Sequence, residues 1–195
     1  MAEQPSLFSD AEISQARPSR RDTQLEISAT TLQTWKQRIA EYQQQIKVNA
    51  EVEQGTLFEG LIAASTEIDP DTIDPFKLPQ QNTQFWRWKA SDHGVAALYF
   101  VIDYELPLLL YVGETVKSNQ RWKGEHDCKR YLLNYRQAHY QHQLPSSLGI
   151  AFWSEAPTET RSRQQLESAL IYKWRSPFNK ENWMFWGTPF THGKK

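Results

Sequence analysis

Two apolar runs rich in β-favouring residues, 95–103 and 108–112, are separated only by Tyr104-Glu105-Leu106-Pro107. So short a connection leaves the runs to pair as an antiparallel hairpin. The second run closes on Tyr111-Val112-Gly113, where a glycine permits a tight turn or the close approach of another group. Beyond it the spacing predicts helices over about 118–123 and 126–143, a third short strand over 147–153 closed by Pro157, and a last helix. Thr158 or Thr160 is the expected cap of that helix, Leu166, Ala169, Leu170 and Lys173 or Trp174 share its apolar face, and Pro177 stops it. Two strands, helices, strand, helix defines a small α/β (α+β) domain, a three-stranded antiparallel sheet flanked by helices.

The chain has 195 residues, 39% of them hydrophobic and 13% aromatic, enough for one good core and a small appendage. Residues 1–29 mix Pro, Ser, Gln, Arg and Asp without a sustained period and read as a disordered tail. Residues 30–64 read as a helical extension: Leu32, Trp35, Ile39, Tyr42 and Ile46 form a helical seam, with Thr30 or Thr31 as cap. The seam is expected to pack on the neighbouring domain or on a short partner helix, and a homodimer through it is the second option. Residues 65–84 carry Pro70, Pro75 and Pro79 among Glu67, Asp69, Asp71 and Asp74, a composition that opposes helix and sheet and reads as a linker. A domain over 85–195 follows, opening on Phe85-Trp86-Arg87-Trp88.

Charge divides the same way. Residues 1–84 hold 7 Lys+Arg against 13 Asp+Glu, a balance of −6, and residues 85–195 hold 15 against 10, a balance of +5. Only the second half suits a polyanion. No apolar window approaches a membrane span and the start lacks a signal-peptide pattern, so a cytoplasmic protein with no membrane partner is expected. The single cysteine, Cys128, excludes an internal disulfide.

Several polar residues fall at suggestive intervals. Arg121 stands ten residues after Tyr111, in the first turn of the expected helix, where backbone N–H groups and a guanidinium together suit a phosphate. Glu167 borders the apolar face of the last helix, where a lone carboxylate can hold a hard divalent cation whose other positions are water. Asn179 follows Pro177-Phe178, where the chain returns towards the same edge. Singly, each has an ordinary explanation: a core tyrosine, a solvated arginine, a surface glutamate, a turn asparagine.

Jointly, the pattern resembles the GIY-YIG nuclease family. Ala97-Leu98-Tyr99 matches the first signature triplet, with alanine for its glycine, and Tyr111-Val112-Gly113 matches the second; Arg121, Glu167 and Asn179 match the helix arginine, the metal-binding glutamate and the late asparagine. The likeness covers about residues 94–182. It implies a DNA endonuclease using one Mg2+ (or Mn2+) ion and leaving a 5′-phosphate and a 3′-hydroxyl, in DNA repair, recombination or restriction. Tyr99 or Tyr111 would activate water, Arg121 would stabilise the developing charge and Glu167 would hold the ion. A phenol titrates near 10, so it needs a cation or proton acceptor nearby to act at neutral pH. His126 and Lys117 are the candidates for that help, and Gly113, Lys117 and Lys123 are the candidate substrate contacts.

Weaker signals remain. His139 and His142 with Cys128 make a poor zinc set, and Trp183-Met184-Phe185-Trp186 either stacks on bases or closes over the core. Gln4, Leu7 and Phe8 belong to a Glu-Gln-x-[Ser/Thr]-Leu-Phe pattern that recurs at 53–58. It resembles the peptide by which bacterial replication and repair proteins dock on the sliding clamp. The rival to catalysis is a non-catalytic DNA-binding or adaptor protein that retains the nuclease fold.

Overall fold

The computed structural model describes residues 27–46, 48, 68–81, 96–116 and 127–190. Helix α1 spans Ala29–Gln44, strands β1, β2 and β3 span Gln80–Gln81, Ala97–Asp103 and Leu108–Thr115, and helix α2 spans Asp127–Gln141. Strand β4 (Leu148–Trp153), helix α3 (Thr160–Trp174) and the single turn α4 (Trp183–Trp186) complete the order. The protein is a mixed α+β fold.

The expected hairpin is present, with its turn at 104–107. β2 pairs antiparallel with β3 on one side and β4 on the other, giving the three-stranded core of the sheet. A fourth strand adds to it. Gln80 and Gln81 pair with Ala151 and Ile150, so the order is β1-β4-β2-β3. The proline-rich segment is therefore not a plain linker: its proline rings sit outside the two ladder positions, and its apolar residues dock it. Ile73 is buried against the sheet, and Phe76 meets Trp174 edge-on at 5.5 Å. Asp69 caps a 3-10 turn at Pro70–Thr72, and Lys173 of α3 holds that turn through Asp71 at 3.0 Å.

Each face of the sheet carries its own core. α1, α2 and the C-terminal aromatics Phe178, Trp186 and Phe190 cover Tyr99, Val101, Leu108 and Leu110. α3 and Ile73 cover Leu98, Phe100, Ile102, Leu109 and Val112. The seam of α1 is thereby spent inside the chain: Leu32, Ile39 and Ala40 are fully buried and Trp35 nearly so, which leaves that face no surface for a second copy. Three caps correct the sequence reading. Ser28, not Thr30 or Thr31, receives the Thr31 N–H of α1, and Glu159, not a threonine, receives the N–H groups of Arg161 and Ser162. At its other end α3 stops two residues before Pro177, on Arg175 in the left-handed region (φ 49°). Among the described residues no helix is long and apolar enough to cross a membrane.

Candidate active site

A bulge decides where the two tyrosines meet. Val101 pairs with Tyr111 but Ile102 pairs with Leu109, so Leu110 is the extra residue in β3. Strict alternation would put Tyr111 with Leu109 beneath α3; the bulge turns it to the opposite face, where Leu110 already lies. There its ring stacks on Tyr99, with centroids 5.9 Å apart and planes 29° apart. Tyr99 is fully buried and also contacts Phe152. Tyr111 is only half-buried, so of the two phenols it is the one that solvent and a ligand can reach.

Gly113 lies directly opposite Tyr99 in the ladder. A Cβ built at position 113 would fall within the Tyr99 phenol, so the second triplet ends in glycine because the first triplet's tyrosine occupies that space. Gly113 is thus a packing partner of Tyr99, whatever else it contacts.

β3 is an edge strand, and its outer edge is covered by other groups. Gln43 of α1 accepts from Leu109 N at 2.8 Å and donates to Leu109 O at 3.0 Å. Phe178 N donates to Leu110 O at 2.9 Å. Asn179 accepts from Val112 N at 3.0 Å and donates to Val112 O at 2.9 Å, and Ser176 Oγ lies 2.6 Å from its Oδ1. Last in the row, Glu167 Oε1 accepts from Glu114 N at 3.1 Å. Asn179 is buried and both ends of its amide are engaged with the Val112 backbone, which fits a group that positions Tyr111 and Gly113 rather than one that touches substrate.

Glu167 is half-buried, one turn after Arg163 on α3. Arg163 is the residue that reading the sequence missed. It is fully buried, donates to Glu114 Oε2 at 2.7 Å, and its Nη1 donates to the carbonyls of Pro157 and Thr158 at 2.9 and 3.0 Å. The Glu114 carboxylate is thus committed to Arg163 while its N–H fixes Glu167. The signal that could have found Arg163 is its place in line with Leu166, Leu170 and Trp174 on the apolar face.

Tyr111 holds its proton tightly. Burial is the largest cause, followed by the charge a neighbouring Tyr99 would carry, and Cys128, a hydrogen bond with Tyr99 and the negative charge of Glu167 push the same way. The phenol is therefore neutral at physiological pH. As to a metal, no group of three or more His, Cys, Asp or Glu that could hold one occurs among the described residues. A single carboxylate, held by a backbone N–H, matches the sparse protein donor set that magnesium accepts when water and phosphate supply the rest.

His139 and His142 do not converge on a zinc site. His139 lies between Lys36 Nζ, 3.0 Å from its Nε2, and the Tyr135 carbonyl, 2.8 Å from its Nδ1; His142 Nε2 meets the carbonyl of Ile27 at 2.6 Å. Arg121, His126, Lys117 and Lys123 lie outside the described residues, as do Gln4, Leu7, Phe8 and the second copy of their pattern. Compared with known proteins, the chain matches no protein-family model, no curated protein and no solved structure at a significant level.

Proposed function

We propose that the protein is a metal-dependent DNA endonuclease that hydrolyses a phosphodiester to a 5′-phosphate and a 3′-hydroxyl. The observation that carries this reading is that Glu167, from the last long helix, is held by Glu114 N on the hairpin strand that bears Tyr111, three residues away. Glu167 and Tyr111 are 56 positions apart in sequence; what joins them is the covered edge of β3, where Glu114 N, one residue beyond Gly113, donates to Glu167. Tyr111 can take a proton from water only as the phenolate, so positive charge must first offset burial and Glu167 and let the phenol's own proton pass to solvent; until then the phenol only orients the water. Glu167 would hold one Mg2+ or Mn2+ ion, which supplies that positive charge and draws electron density from the phosphate oxygens. Arg121 is assigned to the charge that develops on phosphorus-bound oxygen.

The test is nicking of supercoiled DNA in magnesium by the parent, Glu167→Gln and Tyr111→Phe. Glutamine keeps the acceptor for Glu114 N and removes the charge, so the expected outcome is an unchanged melting temperature with cleavage reduced at least about 100-fold. Equal cleavage by Glu167→Gln and the parent, or none by the parent on linear, nicked, flapped or branched DNA, would sink the proposal and favour the adaptor reading.

A further inference from the structure

The aromatic run Trp183-Met184-Phe185-Trp186 divides by face. Trp183 and Trp186 turn inward: their indole N–H groups donate to the carbonyls of Phe178 and Arg175. Met184 and Phe185 turn outward, 95% and 51% exposed, and Tyr172 of α3 beside them is 69% exposed. Between the two outward rings lies the Arg175 guanidinium, 4.1 Å from the centre of Tyr172 and 5.1 Å from that of Phe185. A second guanidinium, Arg38 of α1, lies 5.9 Å over Trp186. Among the described residues no carboxylate pairs with Arg38 or Arg175, whereas Lys173 and Lys180 are both paired, with Asp71 and Asp127.

We propose that Tyr172, Arg175, Met184 and Phe185 form a stacking platform for the unpaired bases of single-stranded DNA, with Arg38 and Arg175 facing its phosphates. Exposed rings that cost free energy in water are repaid by base faces, and two guanidiniums without an acid partner among the described residues complement a polyanion. An unpaired base presents its face; a base inside a duplex does not, so the platform selects single strands. Tyr172 is five residues beyond Glu167 on the same helix, about 7.5 Å further along its axis and about 140° around it, so a strand reaching both would wrap across α3. That last link rests on the nuclease reading of Glu167; strand binding at the platform does not.

The two ideas separate in one set of measurements on the full chain in EDTA, with fluorescein-labelled oligo-dT and a duplex of equal length as probes for anisotropy. Tyr172→Leu and Phe185→Leu each keep apolar surface and remove a ring. Each is expected to weaken oligo-dT binding about tenfold and leave duplex binding within about twofold. Unchanged oligo-dT affinity in both variants, equal losses on the two probes, or no binding of oligo-dT by the parent overturns the platform. A patch that docks another protein would keep its function with leucine and give the first of those results. Ring variants that lose oligo-dT binding in a protein that cuts no DNA would leave the platform standing without the nuclease, and cleavage with ring-independent binding would do the reverse.

Discussion

At the scale of single residues, Tyr99 and Gly113 are one feature written in two places. The buried phenol fills the volume that any side chain at 113 would need, and its ring is held by Tyr111 on one side and Phe152 on the other. Gly113→Ala therefore cannot be absorbed by a swing of Tyr99, and it is expected to cost about 2–3 kcal/mol through overpacking. In a Tyr99→Leu background the same alanine meets a shorter side chain and should cost at least about 1 kcal/mol less. Urea denaturation of the four proteins gives the coupling; additive losses would mean that Gly113 is kept for some reason other than Tyr99. Both tyrosines and the glycine were legible from the alternating runs, but their relation was not. A bulge at Leu110 cannot be read from a pattern of apolar residues, and without it Tyr111 would be assigned to the wrong face of the sheet.

At the scale of elements, α1, α2 and the hairpin are joined by a buried polar network. Lys36 Nζ donates to Asp103 Oδ2 at 2.9 Å, Tyr135 donates to the same oxygen at 2.6 Å, and Asp103 Oδ1 accepts from the N–H groups of Glu105 and Ser147. Lys36 also donates to His139 Nε2, so His139 is neutral, with its proton on Nδ1 and directed to the Tyr135 carbonyl. Burial above all, with Lys36 and His142 adding to it against the opposing Tyr135 carbonyl and Asp103, lowers its pKa from 6.5 to about 4. Between those values the unfolded chain binds a proton that the folded chain refuses. Stability from this group is thus complete above pH 6.5 and falls away as pH drops to about 4, by about 3 kcal/mol in all. Urea denaturation at pH 7.5 and 4.5 should show most of that loss in the parent and a clearly flatter profile in His139→Gln; parallel profiles would remove His139 as the cause. None of this network was legible in the sequence, because a lysine, an aspartate and a histidine on amphipathic elements ordinarily face water.

At the scale of the whole molecule, the helical seam of α1 was readable while its role was not. Apolar periodicity says that a face must be covered, and only tertiary structure says by what. Here the cover is the sheet with α2 and the C-terminal aromatics. α1 places Leu32, Trp35 and Ile39 in its core, Gln43 on the edge of β3 and Lys36 on Asp103, and the acidic segment after it supplies β1 and Ile73. Burying those three large side chains alone contributes roughly 5–9 kcal/mol, which is comparable to the whole stability of a typical domain. Removing α1 would also leave Asp103 buried without its counter-charge and the Leu109 N–H and carbonyl without partners, each a further cost. A chain beginning at residue 85 is therefore expected to lack a cooperative thermal transition and to bind the dye ANS, although it contains the entire resemblance to the nuclease family. A chain beginning at residue 24 keeps Ile27, the Ser28 cap and everything after them, and should melt like the full protein. Circular dichroism of the two truncations decides the matter: a cooperative, full-length-like melt for the shorter chain would restore the division into extension, linker and independent domain that the composition suggests.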